Sequence, residues 1–160
     1  MEGVVLGSAL LEGRSGHEAG RALLAALYRG ETGDELPEIR VTDRGKPYFV
    51  DSPWCFSISH TRRRVFCALA KRDIGIDAEE VDRDISLRLA EKILSPGERA
   101  RFDASPDPRK ALLTFWVLKE AAAKLSGEGL RGYPDHTDFR LDDPRVTERD
   151  GCLLAVMTQE

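Results

Sequence analysis

Between Trp54 and Glu80 three strand-like runs follow one another with very little chain between them. Trp54–His60 alternates, with Trp54, Phe56 and Ile58 on one face and Cys55, Ser57 and Ser59 on the other. Val65–Ala70 is almost wholly apolar, as in a strand covered on both sides. Ile74–Glu80 alternates again: Ile74, Ile76 and Ala78 share one face, Asp77 and Glu79 the other. The connections are only Thr61–Arg64 and Lys71–Asp73. Connections this short predict an antiparallel meander.

The flanking segments place these strands in a larger frame. Val4–Leu11 reads as a first strand. Ser15 is an N-cap candidate with Glu18 three residues later, the spacing of a capping box. The helix that follows carries Ala19, Leu23, Leu24, Ala26 and Leu27 on one stripe and stops near Gly30 and Gly33. Residues 36–53 read as turns, with Pro37, Gly45-Lys46-Pro47 and Pro53. After Val81 the character becomes helical. Ser86–Leu94 is a first helix, Ser95-Pro96-Gly97-Glu98 opens a second, and Pro108–Ser126 is the longest, closed by Gly127 and Gly129. Two strands, Phe139–Leu141 and Cys152–Met157, are expected in the tail. The order β-α-βββ-ααα-ββ is α+β. It divides into an N-terminal lobe, 1–80, and a C-terminal lobe, 81–160, meeting near residues 79–85.

A chain of 160 residues with 41% hydrophobic and 32% charged residues can bury an ordinary core. The net charge of −4 argues against nucleic acid as a partner. Arg62-Arg63-Arg64 is too short a patch to reverse that; alternate members are expected to face solvent, leaving one for a phosphate. Cys55, Cys67 and Cys152 have no ligand spacing and read as free thiols in a reducing cytosol. The N-terminus lacks signal-peptide character. No apolar run approaches the ~18 residues of a membrane helix. A cytoplasmic chain without a membrane partner is therefore expected.

The acidic face of the third run is where chemistry enters. Asp77 and Glu79 stand roughly 6.5–7 Å apart along a strand. Like charges so close repel unless a cation or protons intervene. A solvent-facing strand surface explains the same alternation. Glu120 lies 41 residues after Glu79, on the long helix. Lys124 is four residues beyond it and Trp116 four before, so all three share one side. The plain reading of Glu120 and Lys124 is a surface helix pair. The functional reading gives Glu120 a metal or a proton and Lys124 a phosphate. An all-oxygen donor set suits Mg²⁺, and the lack of a Cys/His cluster argues against zinc. His60 ends its strand beside three arginines, where an anion can sit. No GxSxG accompanies it, which argues against a serine hydrolase.

These segments together resemble the 4′-phosphopantetheinyl transferases of the Sfp type. The matching elements are Gly45-Lys46-Pro47, Phe56-Ser57-Ile58-Ser59-His60, Gly75-Ile76-Asp77-Ala78-Glu79 and Trp116-Val117-Leu118-Lys119-Glu120-Ala121-Ala122-Ala123-Lys124. Gly127-Glu128-Gly129-Leu130 completes the set, and the resemblance spans roughly residues 15–142. The resemblance implies two similar α/β lobes in a pseudo-twofold arrangement, with the active site between them. Because 74 residues precede Gly75, it also implies a single-chain pseudo-dimer, hence a monomer, rather than the trimer of the smaller holo-acyl-carrier-protein synthases. Asp77, Glu79 and Glu120 would bind Mg²⁺, with Mn²⁺ as its substitute. Lys124 would contact the coenzyme A pyrophosphate. Ser59, His60 and Arg21 would hold the 3′-phosphate side, and Gly45, Lys46 and Pro47 would line the adenine pocket. Asp77, Glu120 and Lys124 would carry the catalysis. The implied reaction moves 4′-phosphopantetheine from coenzyme A to a serine of an apo acyl or peptidyl carrier protein and releases 3′,5′-ADP. Two alternatives stand beside it: a non-catalytic module that binds coenzyme A or a carrier protein, and an Mg²⁺-dependent nucleotide hydrolase.

Overall fold

The computed structural model describes residues 1–128 and 137–159. Its elements are β1 (Val5–Leu10), α1 (Gly16–Thr32), β2 (Ile39–Val41), β3 (Pro47–Phe49), β4 (Cys55–His60), β5 (Arg64–Ala70), β6 (Ile74–Glu80), α2 (Ala90–Ile93), α3 (Pro96–Asp103), α4 (Pro108–Ser126), β7 (Val146–Arg149) and β8 (Cys152–Thr158). The α+β class is as expected.

Helix ends follow their local signals. The Ser15 hydroxyl accepts the Glu18 amide at 3.0 Å, and Gly33 closes α1 in the left-handed conformation. Ser95 and Glu98 form a full capping box on α3, with Pro96 in its first turn. The long helix spans the expected residues: Asp107 caps it, Pro108 opens it, and Gly127 ends it at φ 73°.

The meander expected of β4, β5 and β6 does not form. One sheet has the order β1-β5-β4 and a second the order β6-β8-β7. Both edges of β5 are taken, one by β1 (Val5 opposite Leu69) and one by β4 (Cys55 opposite Ala70). With no edge of β5 left, β6 lies along β4 and pairs on its other side with β8, Asp77 opposite Ala155. No backbone ladder joins β4 to β6. Instead the Ser57 hydroxyl accepts the Ile76 amide and the Ser59 hydroxyl accepts the Ala78 amide, both at 3.0 Å. Strand β6 therefore belongs to the same sheet as β7 and β8.

The layers follow from the alternation. On one side of the first sheet, Phe56, Cys67 and Leu69 pack with Leu24 and Tyr28 of α1. On its other side, Phe66, Ala68 and Ala70 meet Ile74, Ile76 and Ala78 of β6 and Leu154 of β8. Beyond the second sheet, Leu153, Ala155 and Met157 pack on α4 through Leu112, Phe115 and Leu118. The acidic face of β6 is thus the face turned to α4.

Four further segments differ from expectation. The turn-rich stretch 36–53 contains a hairpin, β2 with β3, Ile39 opposite Phe49, whose Phe49 joins the core. Ser86–Leu94 is a 3₁₀ turn, Leu87–Leu89, running into the one-turn α2; the Ser86 side chain makes no cap. Phe139–Leu141 forms no strand, because the Phe139 amide is taken by the Glu98 carboxylate at 2.9 Å. The partner of β8 on that side is β7, a few residues later. Gly129 and Leu130 of the Gly127–Leu130 element lie outside the described residues.

Candidate active site

The site lies where β4, β6 and α4 converge, and Gly75 brings them together. A Cβ at Gly75 would stand 2.3 Å from the Ala121 carbonyl oxygen and 2.4 Å from the Leu125 nitrogen. Only a residue without a side chain lets the α4 backbone cross β6 at that distance. Two residues along β6, Asp77 consequently faces the side of α4 that carries Glu120 and Lys124.

Asp77 is 7% exposed. Its Oδ1 accepts from the Ser59 hydroxyl at 3.1 Å and lies 3.5 Å from the Lys124 ammonium. Lys124 Nζ also donates to the Ile58 carbonyl at 3.1 Å, so it bridges both strands. Burial pushes the Asp77 carboxyl up to about 7; Lys124 and the Ser59 hydroxyl oppose the rise, while Glu120 and Glu79 add to it. Glu120 is half-buried and is likewise raised, by burial first and by Glu79, against the pull of Lys124 and Arg83. Three carboxylates thus act on one another, with Lys124 among them.

Glu79 is held by partners of its own. Its Oε1 accepts from Arg83 NH1 at 2.7 Å and from the Trp116 indole at 3.2 Å. With Glu79 held there, no three acidic, His or Cys side chains among the described residues are gathered as a ready metal cage. Two observations nevertheless fit a hard cation. Every donor present is an oxygen, which suits Mg²⁺ or Mn²⁺. Asp77 Oδ2 is buried without a hydrogen-bond partner among the described residues, a state that costs free energy unless something charged or protic meets it.

The other expected residues divide between two cavities. Gly45, Lys46, Pro47, Glu120 and Lys124 line one of about 260 Å³, together with Arg44, Ser57 and Gly127. Lys46 lends this cavity its stem rather than its charge: Nζ donates to the Leu125 carbonyl at 2.8 Å, at the C-terminal end of α4. His60 and Glu79 line a second cavity, of about 580 Å³, with Arg62, Asp82 and Arg83. The His60 ring packs on the first turn of α1, where a Cβ on Gly16 would come within 2.3 Å of it. Arg21, on the next turn of α1, lines neither cavity. Ser59 is 5% exposed and its hydroxyl is committed to Ala78 and Asp77, which places it behind the carboxylate rather than on an anion.

Of the three arginines, Arg63 pairs with Glu80 at 2.9 Å and with Asp82 at 3.5 Å. Arg64 lies 3.8 Å from Asp150. Arg62 alone lines the second cavity. Sequence reasoning missed Arg83 and Arg44. Arg83 follows Glu79 by four residues but on a turn, where that spacing carries no helical meaning; Arg44 stands next to the recognised Gly45-Lys46-Pro47.

Lys119 sits beside Glu120 in the chain and points the other way. It is fully buried, with Nζ 2.6 Å from Glu98 Oε1. Glu98 also accepts the amides of Ser95 and Phe139. Burial alone would raise the Glu98 carboxyl, but Lys119 and these amides hold it below the usual range. This ion pair fastens α3 and the 137–139 segment to α4.

Comparison with known proteins finds relatives of this chain. Residues 73–153 match the family model of the 4′-phosphopantetheinyl transferase superfamily. The 4′-phosphopantetheinyl transferase HetI of Nostoc sp. is 33% identical over 129 residues, 74% of this chain and 54% of the relative. The 4′-phosphopantetheinyl transferase Sfp of Bacillus subtilis is 36% identical over 124 residues, 76% of this chain and 54% of the relative. A holo-[acyl-carrier-protein] synthase of Cronobacter sakazakii is 38% identical over 64 residues, 36% of this chain and 51% of the relative. The chain spans about half the length of the curated relatives it matches. The family model covers β6 through β7 and the first residues of β8, the unit that holds Asp77, Glu79, Glu120 and Lys124, and with it the chain belongs to the 4′-phosphopantetheinyl transferase superfamily, in its Sfp-type group.

Proposed function

We propose that this chain transfers the 4′-phosphopantetheine group of coenzyme A to a serine of an apo acyl or peptidyl carrier protein. The observation that carries the reading is the seam between β6 and α4. There Gly75 allows the approach, and Asp77, Glu120 and Lys124 meet beside a cleft walled by Gly45, Lys46 and Pro47.

In this reading Asp77, Glu79 and Glu120 hold Mg²⁺, or Mn²⁺ in its place. The bound cation supplies neutralisation of the charge that grows on phosphate oxygens. Lys124 faces the pyrophosphate from the other side, fixed by the Ile58 carbonyl. Ser59 holds the Asp77 carboxylate in place. The carrier serine oxygen forms a bond to the β-phosphorus. The bond from that phosphorus to the bridging oxygen breaks, and 3′,5′-ADP leaves. Glu120, directly or through a water, takes the serine proton. His60 can donate a ring N–H and Arg62 offers positive charge to the 3′-phosphate from the second cavity, with Arg21 further along α1.

We place the lobe boundary between Ala70 and Ile74 rather than after Glu80. With the β2–β3 hairpin and the short helices α2 and α3 set aside, each half then reads strand, helix, strand, strand, with the last strand in the middle of its sheet. This shared order supports a pseudo-twofold relation and a monomer, with the site where the halves meet. No helix among the described residues is long and apolar enough to cross a membrane, and a cytoplasmic location, where coenzyme A and carriers are found together, is part of the proposal.

The test mixes the protein with coenzyme A, Mg²⁺ and a set of apo carriers and weighs the carriers. A gain equal to one phosphopantetheine, lost when a chelator is added, is expected. Folded protein that binds coenzyme A without altering any carrier would make it a binding module. Release of nucleotide products without an acceptor would make it a hydrolase.

A further inference from the structure

Arg83 is the strongest unassigned feature at the site. Its guanidinium lies 2.7 Å from Glu79 Oε1 and stands over the Trp116 ring, 6.0 Å from the centroid. The Trp116 indole donates to the same Glu79 oxygen. These contacts hold the Glu79 carboxylate against Trp116 of α4, while its charge still acts on Asp77 and Glu120. The backbone of Arg83 is anchored independently of its side chain. Its amide donates to the Glu80 carbonyl at 2.9 Å, and its carbonyl accepts from Arg109 at 3.1 Å. The side chain itself is 40% exposed and borders the cavity that also holds His60 and Arg62. It can therefore change partner without moving the turn that carries it.

We propose that Arg83 is a resident counter-cation for Glu79: it occupies the carboxylate in the metal-free chain and yields it to a divalent cation. The inference rests on the metal site of the proposed transferase. Charge balance supports it. In the metal-free arrangement two side-chain cations, Lys124 and Arg83, serve three carboxylates, Asp77, Glu79 and Glu120. An incoming dication displaces the less firmly anchored of the two, because Lys124 is tied to the Ile58 carbonyl whereas the Arg83 guanidinium is held by Glu79 and the indole. Once displaced, the guanidinium stays in a cleft lined by Glu80, Asp82 and Asp84 as well as by His60 and Arg62, where other carboxylates can take its planar donors. Arg83 is thus a positioning residue that gives up Glu79 to the cation.

The test uses the whole chain without coenzyme A or carrier. Mn²⁺ is titrated and the free ion is followed by its paramagnetic resonance signal. A partly exposed ion pair opposes binding modestly, so Arg83→Ala is expected to bind Mn²⁺ about two- to fivefold tighter than the parent, and Arg83→Lys to stay near it. Mg²⁺ should shift the tryptophan emission of the parent, as the guanidinium leaves the indole, and shift that of Arg83→Ala far less. Arg83→Gln, which keeps the side-chain length, gives the same two readouts should the alanine variant fold poorly. Equal or weaker Mn²⁺ binding by Arg83→Ala and Arg83→Gln than by the parent would overturn the role of Arg83 and leave the transferase reading standing. Absence of Mn²⁺ binding by every protein, the parent included, would overturn the metal site and this inference together.

Discussion

Replacing Asp77 by asparagine should make the metal-free protein more stable, and by an amount that depends on pH. The carboxyl is 7% exposed, one of its oxygens has no hydrogen-bond partner among the described residues, and Glu120 and Glu79 repel its charge. Its ordinary value of 3.8 is raised to about 7. A tenfold change in proton affinity is worth about 1.36 kcal/mol, so ionising Asp77 in the fold costs up to about 4 kcal/mol more than in the unfolded chain. The folded carboxyl binds its proton more tightly than the unfolded one. Folding therefore takes up a proton between pH 3.8 and about 7, and stability falls as the pH rises through that window. Asparagine keeps an acceptor for the Ser59 hydroxyl and never ionises. It forgoes the attraction of Lys124, already included in the value of about 7. Taking about half of the ceiling as a lower figure, Asp77→Asn should gain about 2–4 kcal/mol at pH 8 and nothing at pH 4. For a chain of this length that is a rise of roughly 5–15 °C in melting temperature. Thermal melts of both proteins in a chelator at pH 4, 6 and 8 check it. Mg²⁺ at pH 8 should raise the melting temperature of the parent and leave the variant unchanged. A variant that melts below the parent at pH 8, or whose advantage is equal at pH 4 and pH 8, would refute the reasoning and make Asp77 a structural anchor.

Three other substitutions probe different parts of the argument. Glu120→Gln should lower carrier modification by at least about 100-fold while its melting temperature stays at or above that of the parent; wild-type turnover would remove Glu120 from the chemistry. Gly75→Ala should cost about 3 kcal/mol or more, because its Cβ meets α4 backbone atoms at 2.3 and 2.4 Å; denaturant unfolding measures it, and a cost under about 1 kcal/mol would show that α4 can move aside. Lys119→Met should destabilise by about 3–5 kcal/mol by leaving Glu98 charged and buried, whereas Lys119→Met with Glu98→Gln should recover part of that loss in the same unfolding assay. No recovery would mean that the pair acts through packing rather than charge.

Features set by neighbours in the chain were legible in the sequence, and those set by distant partners were not. The Ser95–Glu98 capping box, the Ser15 cap and the limits of α4 depend on residues within one turn, and each stands where its motif placed it. Pairing is different. Nothing between Trp54 and Glu80 reveals that β1 fills the second edge of β5, so short connections suggested a meander that the N-terminal strand forbids. The same holds for Phe139, whose amide is claimed by Glu98 from another helix, and for Lys46, whose charge is drawn to the end of α4.

The candidate site shows the same division in one strand. Alternation along Ile74–Glu80 correctly put Asp77 and Glu79 on one face, but it left open whether that face met water. In an antiparallel sheet with one wet side, the acidic face is the wet one. Here both faces of β6 are covered, the apolar one by the first sheet and the acidic one by α4, and the cause is Gly75, the one position on the acidic face with no side chain. A glycine two residues before a buried aspartate therefore converts an ordinary amphipathic strand into one with a carboxylate trapped under a helix. Such a carboxylate is tolerable only with Ser59 and Lys124 beside it, and Asp77 Oδ2 remains without a partner among the described residues. The residual cost is what a divalent cation would relieve in the proposed site. On this account the instability of the metal-free site and its affinity for a cation have one origin, and a substitution that removes the first must weaken the second.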